Sequence, residues 1–424
     1  MSNNNKTYKN TSIGLIPSDW EVERFDNVFE LLSTNSFSRD NLTYEETENK
    51  IQNIHYGDIH AKFKYEILDC ETEQLPYIKD ELIRNQKFNY LKNGDLIITD
   101  ASEDYEGVGE CIEVKNITSK KIVSGLHTFL ARDKSNKTVQ GFRTYIFNNP
   151  RVGIELKKIA TGTSVFSISK SELQKLKIPV PTIPEQQKIA SILLTWESAI
   201  DNCKMIVDSL KERNKGIIKR LLSGKTRLNG FEKSQWHLKS LDEVVIFKNG
   251  KAHENVIDEE GDYIVVNSKF ISTEGKVSKA SNENLCPLYK HDIVMVMSDV
   301  PNGRALAKCF YIDANDKYTL NQRICALTAK KETDSKYLFH LLNRNSYYLA
   351  FNNGVSQSNL KKDEVLECPL VMPEIEEQKQ IVKAIDAAIT ELNQYQQKLQ
   401  TLQLQKKGLM QRLLTGKVRV QIIN

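Results

Sequence analysis

The chain has 424 residues, 40% of them hydrophobic and 27% charged, and its formal net charge is +4. A chain of this length folds into two or more domains, each large enough to bury its own core. The polar start MSNNNKTYKN lacks the apolar stretch of a signal peptide, and no run approaches the roughly 18–20 apolar residues that span a bilayer. We therefore expect a globular protein without a membrane anchor, and its mild basic charge permits nucleic-acid binding without demonstrating it.

The seven cysteines are odd in number and widely spaced, and no two of them form a CxxC pair. This pattern argues against a disulfide framework or a zinc site. The seven histidines are likewise dispersed, which favours neither a catalytic triad nor a metal cluster. We expect reduced thiols, a cytoplasmic localisation and no metal ligands in this chain.

Residues 1–178 are predicted to form a first domain, a β-rich mixture of strands and helices. After a polar arm, residues 16–20 (IPSDW) open the domain, and residues 93–98 (NGDLII) have the pattern of a turn that leads into a buried strand. Residues 145–147 (YIF) precede a helical pattern, which is followed by Gly-Thr-Ser at 162–164. These landmarks recur later in the chain.

Residues 228–370 are predicted to form a second domain with matching landmarks. They are SQW at 234–236, KHDIVM at 290–295, YLF at 337–339 and GVS at 354–356. The segments between the landmarks differ strongly from those of the first domain. Because the two domains share a scaffold and differ in their loops, we expect each to recognise something different.

Residues 179–227 are predicted to form a long helix, which is entered through a proline-rich linker and ends at Gly224. Read at alternating steps of four and three, nine of its ten seam positions are apolar, which is typical of a coiled coil. The seam comprises Ile189, Leu193, Trp196, Ile200, Cys203, Val207, Leu210, Asn214, Ile217 and Leu221. About 38 helical residues give a rod of about 57 Å.

Residues 371–424 hold a second long helix and the C-terminal tail, and the second seam follows the first at an offset of 192. It comprises Ile381, Ile385, Ala388, Leu392, Tyr395, Leu399, Leu402, Lys406, Leu409 and Leu413. Asn214 and Lys406 interrupt the two seams at the same step, and RLLSGK at 220–225 matches RLLTGK at 412–417. One offset held over this length indicates an internal duplication.

We therefore predict an α+β fold in which two β-rich α/β domains are separated by an antiparallel two-helix coiled coil, with a pseudo-two-fold internal repeat. The antiparallel orientation follows from connectivity, because the second domain joins the end of the first helix to the start of the second. A compact domain of about 150 residues is roughly 40 Å across, which is less than the length of either helix. Both of its attachment points should then lie at one end of the helix pair.

No catalytic motif is recognisable in the sequence. A GxGxxG fingerprint, a GxxxxGK[ST] loop, an HExxH helix and the Asn/Asp-Pro-Pro-aromatic tetrapeptide of amino-methyltransferases are all missing. The nearest nuclease-like group is Asp104 with Glu113 and Lys115, and a solvated strand edge explains this group more simply. We predict no catalytic and no cofactor-binding residue in this chain.

The chain resembles the DNA-specificity subunit of a type I restriction–modification system over essentially its whole length. The resemblance lies in the IPxxW-like start at 16–20, the Pro/Glu-Gln helix entries at 184–187 and 376–378, and the two RLLxGK exits. It is strong in the helices and poor within the two domains. It implies a target-recognition domain, a long helix, a second target-recognition domain and a second long helix.

This resemblance implies a non-catalytic subunit that binds double-stranded DNA, with each domain reading one half of a bipartite asymmetric sequence. The helices would fix the spacing between the halves and dock two modification subunits, which carry S-adenosylmethionine and methylate adenine. Restriction subunits, which are translocase–nucleases that use ATP and Mg, would cleave unmodified DNA. No cofactor is implied for this chain itself.

Polar and basic residues in loops beside the expected strands are the candidates for base contact. In the first domain they are Tyr56, Lys62, Lys64, Ser102, Tyr105, Ser164 and Lys170. In the second domain they are Lys251, Asn267, Lys269, Asn302, Arg304, Arg323, Gln357, Asn359 and Lys361.

Two other classes of function stay open at this point. One is a coiled-coil adaptor that bridges proteins without touching DNA, and the other is a self-contained nuclease built on Asp104, Glu113 and Lys115. The basic helix ends at 211–227 and 406–419 fit phosphate contact, docking of an acidic partner or simple complementarity to the helix dipole.

Overall fold

The structure, a computed structural model, describes residues 7–63, 65–84, 86–300, 304–352 and 357–422. Contacts divide the chain into two compact units. The first unit comprises Met1–Cys203 and Lys398–Asn424, and the second comprises Lys204–Gln397. Both boundaries fall inside the long helices Ile183–Leu222 and Ile375–Leu414. The division into four segments, which sets these helices apart from the domains, stays a prediction.

The first unit consists mainly of short strands. These are β1 Tyr8–Thr11, β2 Gly14–Pro17, β3 Glu21–Arg24, β4 Phe29–Leu32, β5 Leu42–Thr43, β6 Ile51–Ile54, β7 Ile67–Asp69, β8 Tyr77–Ile78, β9 Leu96–Thr99, β10 Ala101–Ser102, β11 Cys111–Lys115, β12 Lys121–Ser124, β13 Thr128–Asp133, β14 Phe166–Ser167 and β15 Lys177–Val180. Its helices are α1 Phe25–Val28, α2 Tyr56–Ala61, α3 Pro150–Ile159, α4 Lys170–Lys175 and the first half of α5 Ile183–Leu222.

A five-stranded sheet forms the centre of the first unit, in the order β4-β13-β9-β11-β7. Strand β9 is buried at every residue, so the buried strand expected after the turn at 93–95 is confirmed. A second sheet, β12-β6-β8-β5, contains the parallel pair β12 and β6, in which Ser124 lies opposite Ile54. Parallel neighbours need a long crossover, and the chain between β6 and β12 supplies strands β7 to β11.

The second unit likewise combines short strands with helices. Its strands are β16 His237–Ser240, β17 Val245–Asn249, β18 Tyr263–Val266, β19 Ala280–Ser281, β20 Ile293–Val296, β21 Ser298–Asp299, β22 Cys309–Tyr311, β23 Tyr318–Leu320, β24 Ile324–Ala329, β25 Ser358–Asn359 and β26 Pro369–Met372. Its helices are α6 Leu241–Val244, α7 Ser268–Ser272, α8 Ser335–Leu342, α9 Ser346–Leu349, α10 Lys362–Leu366 and the first part of α11 Ile375–Leu414.

The sheets of the second unit follow the same pairing pattern as those of the first. The central sheet has the order β17-β24-β20-β22, and the second sheet has the order β19-β18-β23. Strand β24 lies between β17 and β20 as β13 lies between β4 and β9, and β18 pairs in parallel with β23 as β6 does with β12. Strand β20 is buried at every residue, which confirms the buried strand expected near 293–295.

The long helices contribute to the hydrophobic cores of the units. In the first unit, Leu193 of α5 and Leu413 of α11 belong to the same buried cluster as Tyr145. In the second unit, Leu221 of α5 and Ile381 of α11 belong to one buried cluster. Each unit is thus completed by helical segments that are distant in sequence.

A buried glutamate clamps the start of α5 in the first unit. Glu185, 1% exposed, accepts the indole N–H of Trp20 at 2.6 Å. The guanidinium of Arg419, which follows α11, donates to both of its carboxylate oxygens at 2.7 and 2.8 Å. The side chain of Gln186 donates to the carbonyl of Pro181 at 2.8 Å. These bonds explain the Glu-Gln pair that marks the helix entry in the sequence.

The second unit has the same clamp at the start of α11. Glu377, 0% exposed, receives two hydrogen bonds from Arg227, which follows α5, at 2.9 and 3.0 Å. The indole N–H of Trp236 donates to Glu377 at 3.2 Å. The side chain of Gln378 donates to the carbonyl of Pro373 at 2.8 Å.

The predicted seam residues of both helices are buried or half-buried. Those that are fully buried are Ile189, Leu193, Ile200, Cys203, Val207, Leu210, Leu221, Ile381, Ile385, Ala388 and Leu413. Those that are half-buried are Trp196, Ile217, Leu392, Tyr395, Leu399, Leu402 and Leu409. The seam side of each helix is therefore withdrawn from solvent.

Both polar interruptions of the seam have partners on the other long helix. In the second unit, the amide of Asn214 donates to the carbonyl of Ala388 at 2.7 Å. In the first unit, the ammonium of Lys406 lies 2.9 Å from the carboxylate of Glu197. A buried polar pair of this kind selects one register of a helix pair over the others.

The contacts between α5 and α11 run in opposite directions along the two helices in each unit. In the first unit, residue 185 faces residue 419 and residue 197 faces residue 406. In the second unit, residue 214 faces residue 388 and residue 227 faces residue 377. The helix segments are thus antiparallel within each unit.

Glycine ends both long helices. Gly224 and Gly416 have φ angles of 66° and 69°, the left-handed conformation that favours glycine after a helix. The predicted ends are therefore confirmed. Among the described residues, no helix combines the length and the apolar character needed to cross a bilayer.

The burial of Glu113 contradicts one expectation from the sequence. Glu113 was expected at a solvated strand edge, but its side chain is completely buried on β11, between β9 and β7. Its carboxylate accepts the backbone N–H groups of Gly141 at 2.6 Å and Thr144 at 3.3 Å. These backbone donors make burial of a carboxyl group tolerable. Burial nevertheless raises the pKa of Glu113 to about 7.

Candidate nucleic-acid interface

Each unit has a cleft at the same end of its central sheet, beside the antiparallel pair β9–β13 or β20–β24. The first cleft, of about 410 Å³, is lined by Thr34, Asn35, Ser36, Phe37, Gln86, Asp100, Leu126, His127 and Thr128. The second cleft, of about 420 Å³, is lined by Glu254, Asn267, Ser268, Ser298, Asp299, Val300, Asn321, Gln322, Arg323, Ile324 and Gln357.

Separate chain segments bring amide side chains together in the second cleft. The Asn267 side chain caps α7 and accepts a backbone N–H of that helix at 2.9 Å. The amide of Gln357, beside the β21–β25 ribbon, donates to the Ser298 hydroxyl at 2.8 Å. The amide of Gln322 donates to the carboxylate of Glu254. Internal hydrogen bonds therefore orient three amide groups around the cleft.

In both units, a residue with positive φ directly precedes a strand of the central sheet, β13 in the first unit and β24 in the second. In the second unit this residue is Arg323, with φ 67°, and its carbonyl accepts the N–H of Met297 at 3.0 Å. In the first unit it is His127, with φ 55°, and its carbonyl accepts the N–H of Asp100 at 3.1 Å. This conformation costs a residue other than glycine about 1–2 kcal/mol. Such local strain concentrates at binding sites, where the surrounding structure maintains it.

Aromatic and imidazole rings lie close to His127, which lines the first cleft. The ring of Tyr56 lies 5.2 Å from that of His127, 4.6 Å from that of His55 and 6.0 Å from that of His60. His127 Nδ1 lies 3.2 Å from the carboxylate of Asp100. Burial lowers the pKa of His55 and raises the pKa of Asp100. Amide side chains line both clefts, but the first has an imidazole beside a carboxylate where the second has a guanidinium.

The structure brings three of the second domain's predicted contact residues together, since Asn267, Arg323 and Gln357 all line the second cleft. Lys251 lies beside this cleft because it forms a β-bridge with Asn321. The other described candidates, Lys269, Arg304, Asn359 and Lys361, are exposed. Asn302 lies outside the described residues. Contact of these side chains with bases stays a prediction.

The first domain's predicted contact residues are more scattered. Tyr56 lies beside His127 of the first cleft, whereas Lys62 forms an ion pair with Glu73 at 2.9 Å. Ser102 is buried in the β10–β14 ribbon, and the exposed Tyr105 donates its hydroxyl to a backbone carbonyl of α3 at 2.8 Å. Ser164 and Lys170 are exposed. Lys64 lies outside the described residues.

Sequence reasoning did not single out Asn321, Gln322 or His127. The sequence does contain a signal for His127. When the segments of β13 and β24 are aligned, His127 occupies the position equivalent to Arg323, which is a predicted contact residue. Asn321 and Gln322 directly precede Arg323 and share its turn. Alignment of the two strands, and not the residue types alone, identifies these positions.

The nuclease-like group does not come together around a common centre. The carboxylate of Asp104 accepts the N–H of Gly107 at 2.6 Å within its own turn. Lys115 lies 3.7 Å from the carboxylate of Asp69, while Glu113 is turned into the core. Within the described ranges, no cluster of histidine, cysteine, aspartate and glutamate has the arrangement of a metal site.

Comparison with known proteins agrees with this picture of two recognition units. The family model of the type I restriction modification DNA specificity domain matches residues 17–212 and 233–404. The MjaX specificity subunit of Methanocaldococcus jannaschii is 26% identical over 442 residues, which cover 98% of this chain and 97% of the relative. The MjaVIII type I restriction enzyme specificity subunit of the same organism is 24% identical over 400 residues, covering 84% of this chain and 89% of the relative.

Solved structures share the fold. The S subunit of a type I restriction–modification system from M. genitalium superposes with a TM-score of 0.50 at 17% identity, covering 93% of this chain and 96% of that chain. A second solved chain comes from work on complex assembly and conformational transition of the type I R-M system. Its TM-score is 0.59 at 13% identity, and the match covers 95% of this chain and 99% of that chain.

The chain belongs to the family of type I restriction modification DNA specificity domains, because the family model matches two regions that together make up most of it. The family is one of DNA-recognition domains. The two matched regions agree with the two units, each of which carries its own central sheet and cleft.

Proposed function

We propose that the chain is the DNA sequence-specificity subunit of a type I restriction–modification complex, and that each unit reads one half of a bipartite, asymmetric DNA target. The observation that carries this proposal is the composition of the second cleft. Asn267, Asn321, Gln322, Arg323 and Gln357 converge there from separate segments. Arginine, asparagine and glutamine are the side chains that pair bidentately with guanine and adenine edges in the major groove.

The different linings of the two clefts support an asymmetric target. Amides line both clefts, but the first has His127 and Asp100 where the second has Arg323. Because the donors and acceptors differ, the two units are expected to prefer different bases. The common sheet pattern supplies the scaffold, and the loops supply the sequence preference.

We propose that the two long helices form an antiparallel coiled coil, within a pseudo-two-fold repeat, that fixes the interval between the half-sites. The clamps on Glu185 and Glu377 hold each helix start, and the pairs made by Asn214 and Lys406 select the register. A helix pair with a defined register cannot slide, so a target with a longer or shorter spacer is expected to bind poorly.

The partners in this proposal are two N6-adenine methyltransferase (modification) subunits and restriction subunits that combine a translocase with a nuclease. S-adenosylmethionine belongs to the former, and ATP and Mg belong to the latter. The long helices are the proposed docking surface for the modification subunits, and their exposed side chains Met205 and Leu404 are candidates for contact. A methyltransferase must take the adenine out of the stack, and this chain would determine which adenine.

A map of methylated adenines in cells that carry the chain and its modification partner tests this function. A motif of two short parts separated by a fixed spacer is expected. Exchange of residues 240–350 for the matching segment of a relative should change one part only, and exchange of 20–175 should change the other. Methylation without a split motif, or a motif that both exchanges leave unchanged, would contradict the proposal.

Footprinting separates DNA recognition from a bridging adaptor that never touches DNA. The chain with its modification partner is expected to protect two patches on one duplex, and binding should weaken steeply as salt is raised. An adaptor would give no protection beyond that of the modification subunit alone.

A further inference from the structure

We propose that Arg323 reads a guanine in the half-site of the second unit, an inference that rests on the proposed function. Arg323 occupies the turn between β23 and β24 and contributes to the wall of the second cleft. Its φ of 67° places an arginine in a conformation that glycine or asparagine adopts more easily. Arg344 also has positive φ, so the inference rests on the place of Arg323 in the cleft wall and on its exposed side chain.

The backbone around Arg323 is fixed from both sides. Its carbonyl accepts the N–H of Met297, the residue after β20, at 3.0 Å. Before Arg323 in the chain, the N–H of Asn321 donates to the carbonyl of Val266 at 3.1 Å, which fixes the start of the turn. The turn therefore presents the guanidinium from a rigid support, which is the arrangement that specific recognition requires.

Several other arginines of the second unit form internal hydrogen bonds, whereas the exposed Arg304 does not line the cleft. Arg227 donates to Glu377, and Arg344 donates to the carbonyls of Arg304 and Leu306. The side chain of Arg323 is exposed and has neither a hydrogen bond nor an ion pair with the residues that the structure describes. Its planar set of donors is thus directed to solvent at the cleft.

Three amide side chains of the cleft already form internal hydrogen bonds, whereas the Arg323 side chain forms none with the described residues. The Asn267 oxygen accepts a backbone N–H, the Gln322 amide donates to Glu254, and the Gln357 amide donates to Ser298. These bonds shape the cleft and leave the guanidinium as its strongest available donor group. A guanidinium pairs bidentately with O6 and N7 of guanine, a geometry that an ammonium cannot reproduce.

The turn of the first unit that corresponds to this one carries His127, also with positive φ. An imidazole beside the carboxylate of Asp100 offers a different set of donors and acceptors from a guanidinium. The same turn in two units thus carries two different side chains, as expected for a position that determines sequence preference.

Three variants of the full chain, each assembled with its modification partner, test this inference. Arg323→Lys keeps the positive charge but removes the planar fork, and Arg323→Gly removes the side chain while relieving the backbone conformation. Lys290→Gln is the control, because Lys290 is exposed at the opposite end of β20 from the cleft. Thermal unfolding of Arg323→Gly should occur at or above the wild-type temperature, which separates the function of the side chain from folding.

The measurement is competition binding with duplexes that each carry one altered base pair of the target. The wild type should bind the cognate duplex about 10- to 100-fold more tightly than a duplex in which one particular G·C pair is replaced. Both Arg323 variants should bring this ratio close to one and leave the ratios in the other half-site unchanged. Lys290→Gln should keep every ratio.

The outcomes distinguish this inference from the proposed function. If Arg323→Lys and Arg323→Gly discriminate at every base pair as the wild type does, Arg323 is not the reader, although DNA recognition by the chain stands. If both variants weaken binding equally on all duplexes, Arg323 contacts a phosphate, and the inference is again overturned. If the wild type itself shows no base preference in either half-site, the proposed function fails first.

Discussion

Replacing Lys406 tests whether buried polar groups maintain the helix pairing in the first unit. Its ammonium on α11 lies 2.9 Å from the carboxylate of Glu197 on α5 and 3.2 Å from that of Glu66. The Tyr145 hydroxyl donates to the same Glu197 oxygen at 2.9 Å. Burial alone lowers the pKa of Lys406, but the two carboxylates together outweigh burial and raise it. The group is therefore charged at neutral pH.

The variant Lys406→Met keeps most of the side-chain volume and removes the charge. Removing one member of a buried ion pair costs about 3–5 kcal/mol, because the remaining charge is left without compensation. The side chains of Lys406 and Glu197 are 13% and 10% exposed, so partial hydration reduces the expected cost to about 2–3 kcal/mol. The neighbouring Lys407 is exposed, and Lys407→Met should cost less than about 0.5 kcal/mol.

Hydrogen exchange is the suitable assay, because a chain with two compact units is not expected to unfold in a single two-state step. Amides at 189–200 of α5 should exchange roughly 30- to 150-fold faster in Lys406→Met, since each 1.36 kcal/mol corresponds to a factor of ten. Adding Glu197→Gln to this variant should recover part of the protection, because one unpaired carboxylate is removed. Equal exchange in Lys406→Met and Lys407→Met would refute the reasoning.

Three further variants test the fold. Burial raises the pKa of Glu113 to about 7 from 4.5, so its contribution to stability is full below about pH 4.5 and is lost as the pH rises through 7. In hydrogen exchange of the first unit's core amides, Glu113→Gln should therefore gain about 3 kcal/mol relative to the wild type between pH 4.5 and pH 8. By hydrogen exchange, Arg227→Ala should destabilise the second unit by about 2–3 kcal/mol, because the buried Glu377 carboxylate loses its charged partner and keeps only neutral donors. Arg213→Ala, in an exposed pair, should cost less than about 1 kcal/mol. Gly416→Ala should lower the melting temperature more than Gly224→Ala, because a Cβ at 416 would lie 2.4 Å from a proline ring carbon and one at 224 would make ordinary contact.

The sequence predicted the long helices well because their signals are local. A seven-residue period, a proline near the start and a glycine after the end are each readable from a continuous stretch of sequence. The buried strands β9 and β20 were predicted for the same reason, since each is a short apolar run after a turn. Structural features that depend on residues close in sequence can therefore be predicted from the sequence.

The clefts could not be predicted because they depend on pairings between distant segments. The second cleft combines residues from 254 to 357, and it exists only once β18 pairs with β23 and β21 pairs with β25. The positive φ of Arg323 has no signal in its residue type, because arginine rarely adopts that conformation. The burial of Glu113 likewise depends on backbone donors at positions 141 and 144.

The two glutamate clamps indicate which parts of this architecture are free to change. Glu185 at the start of α5 is held by an arginine that follows α11, and Glu377 at the start of α11 is held by an arginine that follows α5. Each clamp closes a unit with a segment from elsewhere in the chain, so loss of either one should loosen a whole unit and not a single loop. The turns at His127 and Arg323 lie outside these clamps: the His127 side chain contacts Asp100 and Tyr56, and the Arg323 side chain has no hydrogen bond or ion pair with the residues that the structure describes. Under the proposed function, substitutions in the turns should therefore change the sequence preference, while the clamps and the helix register should keep the proposed interval between the half-sites.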